Sequence, residues 1–201
     1  NAVWGAGPSD VFVVGQSGVV LRYDGAAGKA MSSPTIKDLL GVWTASGEVF
    51  AVGQGGTIVH YATPWKVIKQ YTGSVLLRAL WAHSGKNVHV AAKDKIMQYD
   101  GSNWTVTNIG SGNAGWQAIW GSGAYNVFAG GDKITNAEIA HYTGAWKLQA
   151  APSVDSLRGV WGSGPSDVYG VGDYFKLAHY DGAKWTALTP DTVKGKWRAV
   201  W

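Results

Sequence analysis

The 201-residue chain contains no cysteine, few charged residues and no long apolar run. Without cysteine, thiol catalysis, disulfide bridges and cysteine-ligated zinc are excluded. No apolar stretch approaches the roughly 18 residues of a membrane-spanning helix, so we expect no membrane insertion. Charged residues make up 15% of the chain, which is too few for a coiled coil or a long helical array.

The basic residues are dispersed along the chain, and the common catalytic motifs are missing. The 17 Lys and Arg outnumber the 13 Asp and Glu, but they form no basic stripe of the kind that nucleic-acid-binding proteins carry. There is no Gly-x-Ser-x-Gly elbow and no His-Glu-x-x-His motif. We therefore expect no nucleic-acid partner, no enzymatic activity, no catalytic residues, no metal and no cofactor.

Aromatic residues are abundant, and tryptophan recurs at regular intervals. A tripeptide that ends in Trp is found six times, at 2–4, 41–43, 79–81, 118–120, 159–161 and 199–201, with Trp-to-Trp steps of 39, 38, 39, 41 and 40 residues. Three more short segments follow each of the first five copies, and they are rich in Val, Ile, Tyr, Phe and Trp between Gly, Asp, Ser or Pro. This is the pattern of short strands and turns.

Each repeat therefore predicts four short antiparallel strands, which form a sheet too small to be stable alone. Radial stacking of such sheets gives a β-propeller, so the predicted fold class is all-β, with five blades and six or more as the alternative. We predict one domain over 1–201, with repeats at 1–38, 39–76, 77–115, 116–156 and 157–196 and an extra first strand at 197–201. Both ends fall at the same phase of the repeat, which favours an excerpt from a longer tandem array.

At two positions of the repeat, polar side chains recur that could either stabilise the blades or bind a ligand. One holds Arg22, His60, Gln98, His141 and His179, and we predict a structural hydrogen-bond donor there, since these copies lie on different blades and cannot converge on one metal ion. The other lies three residues before the anchoring Trp and holds Arg78, Arg158 and Arg198. We interpret these arginines as solvated strand ends; the alternative is an anion-attracting ring at one mouth of the propeller channel.

The candidate ligand-binding residues fall into two groups. A second set of indoles opens the fourth strand of the repeats, at Trp65, Trp104, Trp146 and Trp185; core packing explains them, and the alternative is a stacking platform for sugars. The connections between second and third strands vary most between repeats, and variable loops on a rigid scaffold commonly carry binding residues. From these loops we select Asp132, Lys133, Asp173 and Tyr174.

Residues 161–169 (Trp-Gly-Ser-Gly-Pro-Ser-Asp-Val-Tyr) and 179–185 (His-Tyr-Asp-Gly-x-x-Trp) carry a family resemblance. They resemble the repeats of β-propellers in bacterial secreted and surface proteins, which implies a general recognition or structural unit. More distantly, the chain resembles five-bladed lectins of the tachylectin type, which bind N-acetylated sugars once per blade. The resemblance implies a secreted or cell-surface location.

Our functional hypothesis is a noncatalytic recognition module that binds glycan or protein, in a lectin-like manner, through loops on one propeller face. The alternative is a structural or assembly segment of a larger surface protein or filament, with a homo-oligomer or a larger parent chain as its context. A glycosidase-like enzyme is the third possibility, and it is disfavoured because no convergent acid–base set is visible.

Overall fold

Twenty β-strands make up the computed structural model, which describes residues 1–61, 64–72, 75–110, 115–132, 137–152, 156–173, 177–188 and 196–201. Blade 1 contains β1 (Ala2–Gly7), β2 (Asp10–Val14), β3 (Val20–Tyr23) and β4 (Gly28–Met31). Blade 2 contains β5 (Leu39–Ala45), β6 (Glu48–Gly53), β7 (Thr57–Tyr61) and β8 (Trp65–Gln70). Blade 3 contains β9 (Leu77–Ser84), β10 (Asn87–Ala92), β11 (Lys95–Tyr99) and β12 (Trp104–Asn108). Blade 4 contains β13 (Gly115–Gly123), β14 (Asn126–Asp132), β15 (Ala137–Tyr142) and β16 (Trp146–Gln149). Blade 5 contains β17 (Gly159–Gly164), β18 (Asp167–Val171), β19 (Leu177–Tyr180) and β20 (Trp185–Leu188).

Each blade is one antiparallel sheet whose four strands follow one another in chain order. Short turns connect the strands because consecutive antiparallel strands need only a tight connection. A 3-10 turn at Gln16–Gly18 is the one helical element in the described ranges. Five four-stranded antiparallel sheets are the predicted blades, so the prediction of an all-β, five-bladed propeller fold is confirmed.

The described chain divides into two compact units. The first comprises Asn1–Val90 and Tyr99–Asn103, and the second comprises Ala91–Gln98 and Trp104–Trp201. The assignment of 1–201 to a single domain stays a prediction.

Asp-Gly turns join the third and fourth strands of three blades. Gly25, Gly101 and Gly182 have φ angles of 94°, 97° and 95°, a left-handed conformation that glycine adopts without steric cost. The Asp side chain accepts hydrogen bonds from the backbone N–H groups two and three residues later, as at Asp181 with Ala183 and Lys184. These backbone hydrogen bonds lower the pKa of the Asp181 carboxyl group. The local Asp-Gly sequence is therefore sufficient to set each turn.

In the first unit, two chemically different faces of neighbouring blades pack together. We call the face of a blade that carries its anchoring Trp the trailing face; in blade 1 it carries Trp4 and Phe12, which are cross-strand partners. We call the opposite face the leading face. Phe12 contacts Tyr61 and Trp65 from the leading face of blade 2, at ring-centroid distances of 6.3 and 6.4 Å. In this unit, the trailing face of one blade therefore packs against the leading face of the next blade.

The second unit follows the same rule. Phe128 on the trailing face of blade 4 contacts Tyr180 and Trp185 on the leading face of blade 5, at centroid distances of 5.1 and 5.7 Å. The Trp185 contact is edge-to-face, which suits the aromatic quadrupole. Because both faces of a blade are apolar, each sheet gains its stability from its neighbours.

The sixth copy of the first strand was predicted at residues 197–201, and this part of the prediction is wrong. These residues form no strand; Trp197 donates its backbone N–H to the Gly172 carbonyl oxygen at 3.0 Å, and Lys196 forms an isolated bridge with Asp173. A strand needs a hydrogen-bonded partner along its length, and these backbone contacts involve only residues 196 and 197 at the start of the segment.

Candidate functional site

The candidate site lies where the second strands of blades 4 and 5 end. Asp132 forms an isolated bridge with Ser156, and Asp173 forms the equivalent bridge with Lys196. In each case the residue at the end of a second strand meets the residue that precedes the next repeat. The backbone thus brings two predicted ligand-binding carboxylates to equivalent positions of adjacent blades.

One arginine connects these two carboxylates. Arg158 Nη1 lies 3.0 Å from Asp132 Oδ2, and Arg158 Nη2 lies 2.9 Å from Asp173 Oδ2. Gln117, at the repeat position of Arg158 one blade earlier, also donates to Asp132 Oδ2 at 3.2 Å. We call Arg158, Asp132 and Asp173 the arginine clamp. The planar guanidinium can contact two carboxylates at once, which a lysine cannot reproduce.

The clamp is partly shielded from water, so its charges interact strongly. The side chains of Arg158 and Asp132 are about a quarter exposed, and Asp173 is buried. The hydrogen bond from Arg158 lowers the pKa of the Asp173 carboxyl group and raises the pKa of the Arg158 guanidinium. The backbone N–H of Asp173 also donates to Ser156 Oγ at 3.1 Å. These contacts hold the backbone on both sides of the junction between the two blades.

The interpretation of Arg158 as a solvated strand end is wrong. Burial of its guanidinium against two carboxylates places it in the structure of the blade junction, whereas Arg78 and Arg198 at the same repeat position are exposed. Lys133 and Tyr174, which were selected with Asp132 and Asp173, lie outside the described residues. Ala137 and Glu138 belong to β15, and Glu138 pairs with Gly131 of the second strand.

Replacing Arg158 with methionine is expected to lower the free energy of unfolding by about 2 kcal/mol, because two partly buried carboxylates lose their counter-charge. Urea denaturation followed by circular dichroism measures the change. Arg158→Lys is the control that keeps the charge, and we expect it to recover only part of the loss because the fork geometry is absent. Equal stability of Arg158→Met and the unmodified chain would contradict the clamp.

The second set of indoles is mostly buried. Trp65, Trp146 and Trp185 are 5%, 9% and 7% exposed, and Trp104 is half-buried. A sugar needs an open ring face to stack on, and these three rings are buried, with Trp65 and Trp185 packed against Phe12 and Phe128 of the preceding blades. A ligand-binding role stays a prediction, and the burial directs it to Trp104 rather than to the other three.

The residues that alternate between Arg, Gln and His have a structural role, as predicted. In four blades they approach the residue that opens the second strand of the same blade, in the pairs Arg22–Asp10 (2.7 Å), His60–Glu48 (3.4 Å), His141–Asn126 (2.6 Å) and His179–Asp167 (2.8 Å). The histidine rings also stack on the neighbouring strand, as His141 does on Phe128 at a centroid distance of 4.0 Å. Burial lowers the pKa values of His60 and His141, which favours the neutral ring.

A small groove lies beside Trp185 on the outer part of blades 4 and 5. It has a volume of about 220 Å³ and is lined by Gln149, Ala150, Tyr180, Ala183, Lys184 and Trp185. Trp185 Nε1 donates to Gln149 Oε1 at 2.7 Å across the groove floor. This hydrogen bond occupies the Nε1 donor of the indole. Lys184 is the charged side chain among the lining residues.

Across the described ranges, no group of three or more His, Asp and Glu side chains is arranged to hold a metal ion. Within that part of the chain no helix is long and apolar enough to cross a membrane.

No protein-family model and no curated protein sequence matches this chain. Solved structures do resemble it. YCF48 bound to D1 peptide is 14% identical over 94% of this chain and 66% of that chain, with a TM-score of 0.65. Virginiamycin B lyase from Staphylococcus aureus is 10% identical over 95% of this chain and 74% of that chain, with a TM-score of 0.72.

A third similar structure is the extracellular domain of the hybrid two component system BT4673 from B. thetaiotaomicron. It is 14% identical over 96% of this chain, which spans 28% of that chain, and the TM-score is 0.69. At these identities the likeness shows the fold alone, and it agrees with the β-propeller predicted from the repeats. The relation to tachylectin-type lectins stays a prediction.

Proposed function

We propose that this chain is a noncatalytic recognition module that binds a peptide segment of a protein partner through the predicted loops following Asp132 and Asp173. The observation that carries this proposal is the arginine clamp. A single guanidinium ties together the two aspartates from which these loops start, so the bases of both loops are held rigidly. Rigid placement of variable loops reduces the ordering cost of binding.

A protein partner is favoured over a glycan by the burial of the indoles. Three of the four Trp residues proposed as sugar platforms are buried, which leaves Trp104 as the half-buried candidate for stacking. The similar structure of YCF48 was solved with a D1 peptide, which supports peptide recognition as a use of this fold. The similarity to extracellular BT4673 domains supports a secreted or cell-surface location.

The proposal is tested by screening the chain against a random-peptide display library and a glycan array in parallel. We expect enrichment of peptides whose binding weakens about tenfold, or ~1.4 kcal/mol, with Tyr174→Ala or Arg158→Met. Thr186→Ala is the control, since Thr186 is exposed on the outer strand of blade 5, away from the clamp. Melting curves establish that each variant is folded at the assay temperature.

Three results would contradict this function. Peptides that bind all variants equally would remove the loops from the interface, and glycan signals that depend on Trp104 without any peptide enrichment would favour a lectin. A pH-dependent turnover of a sugar substrate would show an enzyme. An assembly segment remains the alternative if neither library yields a ligand.

A further inference from the structure

Five side chains form a continuous chain of hydrogen bonds at the junction between blades 4 and 5. Trp185 Nε1 lies 2.7 Å from Gln149 Oε1, and Gln149 Nε2 lies 3.2 Å from His141 Nδ1. His141 Nε2 lies 2.6 Å from Asn126 Oδ1, and Asn126 Nδ2 lies 2.6 Å from Ser122 Oγ. Each strand of blade 4 contributes one of these residues, and Trp185 begins the outer strand of blade 5. The chain therefore connects one histidine with the floor of the groove beside Trp185.

The indole fixes the direction of every hydrogen bond in this chain. An indole N–H can only donate, so the Gln149 amide must present its oxygen to Trp185 and its NH2 group to His141. Because an amide NH2 group also can only donate, His141 Nδ1 must accept and carries no proton. The neutral ring therefore carries its proton on Nε2 and donates it to Asn126 Oδ1. The Asn126 NH2 group in turn donates to the Ser122 hydroxyl oxygen.

A second proton on His141 is incompatible with this arrangement. Protonation places an N–H group on Nδ1, opposite the NH2 group of Gln149, so two donors then face each other. Rotation of the Gln149 amide gives His141 an acceptor, but it turns the NH2 group towards Trp185 Nε1. One of the two hydrogen bonds of Gln149 must therefore be lost. We propose that His141 is a pH-sensitive switch whose protonation releases the Trp185 indole from Gln149 and opens the floor of the groove.

Blade 4 also differs from other blades in the partner of this repeat position. In blades 1, 2 and 5 a carboxylate opens the second strand and pairs with the basic side chain, as Arg22–Asp10, His60–Glu48 and His179–Asp167. In blade 4 the uncharged Asn126 occupies the place of that carboxylate. A protonated His141 therefore gains no counter-charge from the partner that its equivalents in blades 2 and 5 have.

The titratable groups around the His141 ring supply no negative charge near neutral pH. Lys147 on β16 is its exposed cross-strand partner, on the same face of blade 4. Tyr180 on β19 of blade 5 lies edge-on to the ring at a centroid distance of 6.0 Å. Lys184, which precedes β20, lines the groove. Both lysines are cations, so they oppose rather than favour a positive charge on the ring.

Burial makes the neutral state of His141 the favoured one, because it lowers the pKa of the ring below its ordinary value of 6.5. At His60 burial acts in the same direction, but the Glu48 carboxylate opposes it. The folded chain thus binds the His141 proton less readily than the unfolded chain does. The free energy of unfolding therefore falls as the pH decreases from that ordinary value towards the lower pKa of the folded state. The hydrogen bond to Trp185 is present at neutral pH and is lost in acid.

The test is a pH titration of the whole chain, followed by NMR of the indole N–H and imidazole groups from about pH 8 to about pH 4. We expect the Trp185 Nε1–H resonance to move upfield with the same midpoint as the His141 ring, because the indole loses its acceptor. Its hydrogen-exchange rate, relative to that of Trp116, should rise about fivefold, as for the loss of one ordinary hydrogen bond. Trp116 is the internal reference, since its Nε1 donates to the Ile109 carbonyl oxygen at 3.1 Å.

Three variants make the test specific to His141. Asn126→Asp gives blade 4 the carboxylate of blade 5, and we expect it to raise the midpoints of the His141 and Trp185 signals together. His141→Gln introduces the residue that blade 3 carries as Gln98, and it should make the Trp185 signal independent of pH. His179→Gln is the matched control, because it removes the equivalent histidine of blade 5 and should leave the Trp185 titration unchanged.

A Trp185 signal that stays constant while His141 titrates would overturn the proposal. A pH-dependent Trp185 signal that persists in His141→Gln would do the same, since another group would then cause the change. Melting curves at both ends of the pH range distinguish release of the indole from unfolding. Acid unfolding of the unmodified chain and of His141→Gln at the same pH, before any change at Trp185, would also contradict the switch.

Discussion

Replacing Trp185 with alanine is expected to lower the free energy of unfolding by about 3–5 kcal/mol, the range for removing a buried aromatic side chain. Its ring is buried between blades 4 and 5 against Phe128 and Tyr180, and its Nε1 donates to Gln149. Removal leaves a cavity and an amide oxygen without its donor. Urea denaturation followed by far-ultraviolet circular dichroism measures the loss.

Two further variants separate the packing of the Trp185 ring from its hydrogen bond and from a role in ligand binding. Trp185→Phe keeps most of the ring and loses the hydrogen bond, and we expect it to cost about 1–2 kcal/mol. Trp104→Ala removes the half-buried indole at the same repeat position, and its cost should be clearly smaller. A loss below about 1 kcal/mol for Trp185→Ala would show that the ring is not a packing element and would restore its candidacy as a ligand platform.

Replacing Gly172 with alanine is expected to lower the free energy of unfolding by about 3 kcal/mol, the upper end of the usual cost of overpacking. A Cβ at this position would lie 1.9 Å from the Ser156 carbonyl oxygen and 2.7 Å from its carbon. These are backbone atoms, which cannot rotate away as a flexible side chain does. Separation of the two segments also moves Asp173 away from Arg158 and opens the clamp.

Gly164→Ala is the control in the same blade, because a Cβ there would meet no atom within 4 Å. We expect its stability to stay within about 0.5 kcal/mol of the unmodified chain. Thermal unfolding by differential scanning calorimetry compares the two variants. If both variants melt at the same temperature, the close approach at Gly172 is not a constraint on the fold.

Periodicity predicted most of the architecture because the interactions that set it are local. Alternation of side chains defines each strand, and Asp-Gly pairs such as Asp181-Gly182 define the turns through hydrogen bonds within three residues. Periodicity misplaced residues 197–201, because their sequence matches a first strand whereas strand formation depends on a partner. A repeat motif indicates a preference for the strand conformation, but a strand forms only where a partner strand pairs with it.

The arginine clamp was missed because its three members are distant in sequence. Arg158 lies at a repeat position that also holds Leu40 and Gln117, so the position alone indicates no charge pairing. One sequence signal was available. The residue that follows the Gly at the end of the second strand is Gln54 in repeat two, but it is Asp132 in the repeat before Arg158 and Asp173 in the repeat that contains Arg158. A basic residue beside two new acidic ones indicates an ion pair between neighbouring blades.

The amino-acid sequence alone determined the repeats, the strands within them and the turns, because the strands and turns depend on contacts inside one repeat. Tertiary structure alone decided which indoles are buried and which two carboxylates share Arg158. Both properties depend on the face that one blade presents to the next. Because all blades share one pattern, the pattern cannot distinguish a buried indole from a half-buried one.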